Sequence, residues 1–222
     1  MIFNLPPAFL ITLASTPERK DAGCKELLRA GFSRFQVFNG VDGRKLRYEI
    51  NNSTMCGGQI GCLLSHVSLW KMLECNGVNS ALIFEDDIAL PPNAVETMEK
   101  AYSTLPDNWR LVYWGYEWKT LHAIKEFNDY FDIVRVPPVA THAYMVRTET
   151  VVELAEKLDG SNPIDLELAN HFSNSKGVYL FKDTKFATQK SAIYTNEDPA
   201  RVSVTAVEKG IFRSMCHPHL NR

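Results

Sequence analysis

Four apolar residues, Ala81-Leu-Ile-Phe84, run straight into three acids, Glu85-Asp86-Asp87. The apolar run is too short for a helix and has the make-up of a fully buried strand. Such a strand needs cover on both faces, which points to an α/β sheet layered with helices. The acids stand where the strand leaves the core. Neighbouring carboxylates in a partly desolvated place repel one another, and a cation relieves the repulsion. Mg²⁺ and Mn²⁺ take carboxylate oxygens and commonly complete their shell with substrate phosphates. The same pattern also fits a solvated strand end in which one acid caps the turn that follows.

The rest of the chain alternates strands and helices. Ala8-Phe-Leu-Ile-Thr-Leu13 reads as a first buried strand. Ser15 and Glu18 have capping-box spacing and Pro17 suits a first helical turn, so a helix is expected to about Ala30, with Gly31 as its stop. Phe35 and Val37 open a second strand, completing a β-α-β unit. The loop Asn39–Gly43 then falls at the C-terminal edge of that strand, where open α/β sheets bind ligands. From Gly58 to Glu74 the residues Ile60, Leu63, Leu64, Val67 and Trp70 fall at helical spacing. Gly61, Ser65 and Ser68 form a second, small-residue stripe that lets a backbone or a ligand come close. Further strands are expected over 111–114, 133–136, 142–146 and 178–181, and helices over 148–158 and from Asn162-Pro163 to about Phe172. There is no repeat and no linker, so residues 1–222 read as one Rossmann-like α/β domain, with 211–222 as a frayed tail.

Composition narrows the partners. The chain has 222 residues and a formal charge of −2, with no basic run. Nucleic acid is therefore not an expected partner. No apolar stretch approaches the ~18 residues of a membrane span, although peripheral contact with a membrane stays open. The apolar N-terminus lacks a basic flank and a cleavage site, and Pro6 and Pro7 interrupt it, so a core strand explains it better than a signal peptide. The five cysteines form no Cys-x-x-Cys pair. Reduced thiols and a cytoplasmic setting are expected, and zinc is not.

Several residues carry two readings each. His66 is either a satisfied core histidine or a donor to ribose or phosphate. Arg19 either clamps a phosphate or base, or is a surface charge. Asp42 either binds ribose hydroxyls or holds a turn. Asp165 shares the apolar side of its helix with Leu168, Ala169 and Phe172. It is either a partner of the helix dipole or a general base aimed into a cleft, with Glu167 on the polar side as the next candidate. Tyr113, Trp114, Tyr116 and Trp118 either stack on a sugar and a base or fill the core, and their alternation suggests that Tyr113 and its face are buried and the others exposed. His217 and His219 fit a frayed terminus better than a metal site.

The order of these pieces resembles glycosyltransferase family 25. The residues that carry the resemblance are Leu10-Ile-Thr-Leu13 with Arg19, then Val41-Asp42-Gly43. Gly58-Gln-Ile-Gly-Cys-Leu-Leu-Ser-His66 follows with Leu69-Trp70, and then Ala81-Leu-Ile-Phe-Glu-Asp-Asp-Ile88. Weaker matches are Val112-Tyr-Trp-Gly115, Ala143-Tyr144, Pro163-Ile-Asp165, and Gln189 with Ser191. The resemblance implies a GT-A-like fold with a mixed central sheet and inverting transfer of a hexose, galactose or glucose, from a UDP-sugar to a glycan or protein-linked acceptor. It implies Mn²⁺ or Mg²⁺ at Asp86 and Asp87. Thr12, Leu13, Arg19, Asp42, His66 and Glu85 are then expected at the nucleotide, and Trp114, Tyr116 and Glu167 at the sugars, with Asp165 as base. Thr12 stands where the family usually has Asn, and Asp-Leu-Glu-Leu168 replaces the commoner Asp-x-Phe-Leu.

Overall fold

The computed structural model describes residues 5–46, 51–53, 55–117, 124–158, 160–190 and 204–205. In the first half the elements are β1 (Ala8–Thr12), α1 (Pro17–Arg29), β2 (Gln36–Asn39), a 3-10 turn (Gly43–Lys45), β3 (Asn51–Ser53), α2 (Gly57–Cys75), β4 (Ser80–Glu85), β5 (Ile88–Ala89) and α3 (Ala94–Tyr102). The second half holds β6 (Leu111–Glu117), β7 (Ile124–Glu126), β8 (Phe131–Val134), β9 (Val139–Arg147), α4 (Thr148–Ala155), α5 (Ile164–Phe172), β10 (Val178–Phe181), β11 (Thr188–Gln189) and β12 (Val204–Thr205). Trp118, Ser191 and the tail with Cys216, His217 and His219 lie outside the described residues.

Eight strands make one mixed sheet in the order β2-β1-β4-β9-β6-β10-β8-β7. β1 runs parallel to both β2 and β4, whereas β9 is antiparallel to β4 and β6. Helices cover both faces. Leu63, Val67 and Trp70 of α2 pack with Val151 of α4 and Leu168 of α5 on one side. Leu27 of α1 and Ala94 and Met98 of α3 pack on the other. This double cover is why β4 is apolar at every position from Ala81 to Phe84.

Two expectations are corrected here. The capping box at Ser15 does not form: Thr16 is the N-cap and makes no side-chain cap bond, while the Ser15 hydroxyl donates instead to Asp42 Oδ2 at 2.8 Å. The long-range partner wins because the first loop folds back over the start of α1. Gly31 does stop the helix, with a left-handed φ of 99°, and the Phe32 N–H returns to the Leu27 carbonyl. The second correction concerns β6, where alternation predicted one exposed face. Tyr113, Trp114 and Tyr116 are all buried. Tyr113 lies opposite Tyr144 and Gly115 opposite Ala143, so β6 spends an extra residue there. That bulge returns Tyr116 to the same core as Tyr113, while Trp114 enters the opposite one. Helix α3 carried no signal that the sequence reading used.

The small stripe of α2 accepts a backbone. A Cβ on Gly61 would stand 2.6 Å from both Gly43 N and Val41 O, and one on Gly43 would stand 1.8 Å from Gly57 O. The Ser65 hydroxyl accepts the Val41 N–H at 2.8 Å and donates to the Gly61 carbonyl at 2.6 Å. The loop after β2 is thereby seated on the helix. Gly43→Ala is expected to lower stability by at least the ~1–3 kcal/mol typical of overpacking. Urea unfolding of the variant checks this, and a midpoint equal to the parent's would show that the loop is not seated as described.

Candidate functional site

The parallel strands β2, β1 and β4 end together. Thr12 pairs with Asn39, and Ile11 pairs with Glu85. Thr12, Leu13, the Gly40–Gly43 loop and Glu85–Asp87 are therefore brought to one sheet edge, the position open α/β sheets use for ligands.

Glu85 is the last residue of β4, and Asp86 and Asp87 follow in the turn before β5. Glu85 turns toward α2, where His66 Nε2 lies 3.3 Å from its Oε1 and the Thr141 hydroxyl donates to the same oxygen at 2.6 Å. His66 is fully buried, and its Nδ1 lies 2.8 Å from the Tyr144 hydroxyl. Trp70 Nε1, which can only donate, gives its hydrogen to that hydroxyl at 2.9 Å. The Tyr144 hydroxyl is thereby tied between Trp70 and His66, and the other nitrogen of the ring reaches Glu85. Burial pushes Glu85 up, but the bonds from His66 and Thr141 outweigh it and leave the carboxyl below its ordinary value. Thr141 is aimed by its neighbour Ala140, whose backbone takes a left-handed φ of 98°.

Asp86 faces the other way. It is buried and ion-paired with Arg19, whose Nε donates to Oδ1 at 2.9 Å and whose Nη2 also contacts that oxygen. The same Nη2 stands 3.3 Å from Asp87 Oδ2. Arg19 thus bridges both aspartates. Asp87 Oδ1 is buried and has no hydrogen-bond partner among the described residues. Burial pushes Asp87 up, the charge of Glu85 adds to this, Arg19 opposes it, and the carboxyl titrates at about 6. A buried carboxylate oxygen without a partner, under the charge of Glu85, fits a divalent cation with oxygen ligands. Arg19 pairs with both aspartates but holds Asp86 more closely, so Asp87 keeps the more available oxygen.

The remaining candidates fall in three groups. Asp42 sits at the rim of the loop. It accepts from Arg44 Nε at 2.9 Å and from Ser15, and caps the 3-10 turn through the Arg44 N–H. The Arg44 bond and its charge, with Ser15, outweigh burial and hold its carboxyl at about 2. Asp165 starts α5, half-buried, while Leu168, Ala169 and Phe172 are buried as expected. Burial pushes the Cys62 thiol well up, the charges of Glu85, Asp165 and Asp87 add to this, and a hydrogen bond with Thr141 opposes it. Glu167 accepts from Asn162 at 3.0 Å on the outer side of the helix. Trp114 and Tyr116 belong to the core as the protein stands. Trp114 packs on Phe131, Phe181 and Phe186, and the Tyr116 hydroxyl donates to the Phe181 carbonyl. Neither ring offers a face to a sugar there, because the sheet is covered on both sides.

Sequence reasoning missed Thr141, Tyr144 and Lys190 as site residues. Tyr144 and Thr141 arrive through the pairing of β9 with β4, in which Ile83 faces Tyr144 and Phe84 faces Ala143. Lys190 donates its N–H to the Asp87 carbonyl at 2.7 Å, and its Nζ reaches Glu26 at 2.8 Å. Buried polar residues within a strand were the only local signal for the first two.

The site is thus an α/β sheet whose parallel strands end on an acidic cluster flanked by an arginine. The model of "Glycosyltransferase family 25 (LPS biosynthesis protein)" matches residues 5–189, and the chain belongs to that family. A rat protein named "Probable inactive glycosyltransferase 25 family member 3" is 29% identical over 126 residues, covering 48% of this chain and 22% of its own. A Haemophilus influenzae protein named "Putative glycosyltransferase" is 51% identical over 45 residues, covering 20% of this chain and 16% of its own. The chain thus spans about a fifth of the length of these relatives. A mutant β-1,4-galactosyltransferase 7 from Drosophila, solved with manganese, UDP-Gal and xylobiose, has a TM-score of 0.41 at 12% identity, over 95% of this chain and 80% of its own.

Two outcomes follow from the geometry. Tyr144→Phe removes the hydroxyl shared by Trp70 and His66 and leaves buried polar atoms without a partner. The expected loss is ~1–3 kcal/mol, read by denaturant unfolding, and an unchanged midpoint would contradict the network. Asp87 titrates higher in the folded chain, about 6, than its ordinary 3.8. Its contribution to stability is therefore full below pH ~4 and is lost as pH rises through ~6. The metal-free parent should melt lower at pH 7 than at pH 5, and Asp87→Asn should flatten that difference. Equal pH slopes in parent and variant would refute it.

Proposed function

We propose that this chain is a metal-dependent, inverting hexosyltransferase. It moves galactose or glucose from a UDP-sugar to a saccharide or a hydroxylated protein side chain. The observation that carries this reading is Asp87, just past β4, whose buried oxygen has no partner among the described residues and lies under the charge of Glu85. Asp87, with Asp86 or Glu85 completing the donor set, would hold Mn²⁺ or Mg²⁺. When bound, the ion neutralises the diphosphate as the nucleotide leaves. Arg19 is already fixed beside both aspartates and supplies positive charge at the same edge. The seated loop presents Val41 and Asp42 next to Thr12 and Leu13, which suits the nucleoside end of a donor. Asp165 takes the proton from the acceptor hydroxyl. It stands half-buried in the first turn of α5, and its charge, like those of Glu85 and Asp87, is felt at Cys62.

A second reading is a non-catalytic binder of nucleotide sugars with the same fold. The name of the rat relative favours it. The intact acids at 85–87 favour the enzyme.

Incubation with UDP-galactose and UDP-glucose, with Mn²⁺ or Mg²⁺ and a panel of saccharide acceptors, separates the two by UDP release. The enzyme reading expects release that a chelator abolishes and that Asp87→Ala does not support. Asp165→Asn should lower turnover ~10²–10⁴-fold at nearly unchanged UDP affinity. UDP binding with no turnover on any donor would leave the binding reading, and full turnover in excess chelator would remove the metal.

A further inference from the structure

The acid cluster uses oxygen donors. One helical turn into α2 lies a donor set of a different chemical kind. Cys62 and His66 are four residues apart and so share a face of α2. That face meets the end of β4 at Glu85. One ligand atom from each of Cys62, His66 and Glu85 lies within 4.8 Å of the other two. A tetrahedral ion with bonds of ~2.0–2.3 Å sets its ligand atoms about 3.3–3.7 Å apart. His66 Nε2 and Glu85 Oε1 are already 3.3 Å apart. The Cys62 sulfur lies within 4.8 Å of both partners.

We propose that Cys62, His66 and Glu85 form a second cation site, selective for thiophilic divalent ions such as Zn²⁺ and Co²⁺. Sulfur and imidazole favour these ions over Mg²⁺ and Mn²⁺, which prefer oxygen. The ligands are held from behind. Tyr144 contacts the far nitrogen of His66 at 2.8 Å and is itself fixed by Trp70, while Thr141 holds Glu85 at 2.6 Å. The carboxylates of Asp165 and Asp87 add negative field at the sulfur without needing to be ligands. Cys62 and Glu85 are both partly exposed, which provides the way in. On binding, the Cys62 S–H bond breaks, its proton goes to solvent, and the sulfur pair forms the bond to the ion. His66 binds the ion through Nε2 and keeps its one remaining proton on Nδ1, where the Tyr144 hydroxyl accepts it. Glu85 then neutralises the second ion instead of charging the Asp87 site. Zinc is therefore an inhibitor, a consequence that rests on the transferase reading, while the site itself does not.

The test is titration of the intact chain with Co²⁺ alone, followed by absorption. A thiolate-to-cobalt charge-transfer band saturating at one equivalent is expected, with Zn²⁺ displacing it. The band should vanish in Cys62→Ser and bind at least tenfold more weakly in His66→Gln. A second measurement needs no variant: Zn²⁺ should slow iodoacetamide alkylation of Cys62 at least tenfold, and leave the exposed Cys75 unaffected. No band, a band that survives Cys62→Ser, or unprotected Cys62 overturns the site. If UDP release occurs, zinc should depress it in the parent and not in Cys62→Ser. Zinc-resistant turnover in the parent overturns the inhibitory role. A cobalt band without turnover on any donor counts against the transferase reading and leaves the site standing.

Discussion

The carboxylate of Glu85 is the interaction on which the rest of this site depends. A strand that is apolar from Ala81 to Phe84 ends in a charge that is mostly removed from water. Such a charge persists only if hydrogen bonds replace its hydration. His66 and Thr141 do this directly, and Tyr144 and Trp70 hold His66 in place. The chain spends two elements, α2 and β9, on holding one side chain. The consequence appears next door: burial first and then the charge of Glu85 push Asp87 up to about 6, and its buried Oδ1 has no partner among the described residues. The network behind Glu85 thus adds to a cation-binding tendency that burial of Asp87 begins.

The two faces of the sheet handle the acids differently. On the α2 face, Glu85 is matched by hydrogen bonds from His66 and Thr141, which leave it ionised. On the α1 face, Asp86 is matched by the full charge of Arg19. A charge-assisted pair satisfies its carboxylate and lessens its appeal to an ion. Three adjacent acids that look equivalent on paper therefore become one anchored charge, one tight ion pair and one carboxylate that Arg19 reaches through a single oxygen. Glu85 ends β4 while Asp86 and Asp87 lie in the turn after it, and the partners that reach each of them divide the three.

Close approach of backbones sets the other wall. The loop after β2 rests on α2 because Gly43 and Gly61 leave no Cβ between them, and Ser65 ties Val41 down. Ser15, at the entrance to α1, then bonds Asp42 instead of capping its own helix. Local capping energy of ~1 kcal/mol is small enough for a tertiary contact to override. The same competition explains β6, where a bulge and double cover put Trp114 and Tyr116 into two cores, against the alternation of the strand.

What the sequence determined by itself was everything governed by short-range periodicity. The strand into Glu85–Asp87, the helix carrying Gly61, Ser65 and His66, the β-α-β opening and the stop at Gly31 could each be read from neighbours within a few residues. The family was legible for the same reason, since its residues sit in two short blocks around His66 and Glu85. Only the tertiary structure decided which acid is tightly paired and which keeps the more available oxygen, because Arg19 is 67 residues from Asp86. It alone brought Tyr144 and Thr141 to His66 and Glu85, since strand register between β4 and β9 has no local sequence signal. It alone made core residues of Trp114 and Tyr116, because burial of an aromatic ring depends on what packs over it and not on the residues beside it.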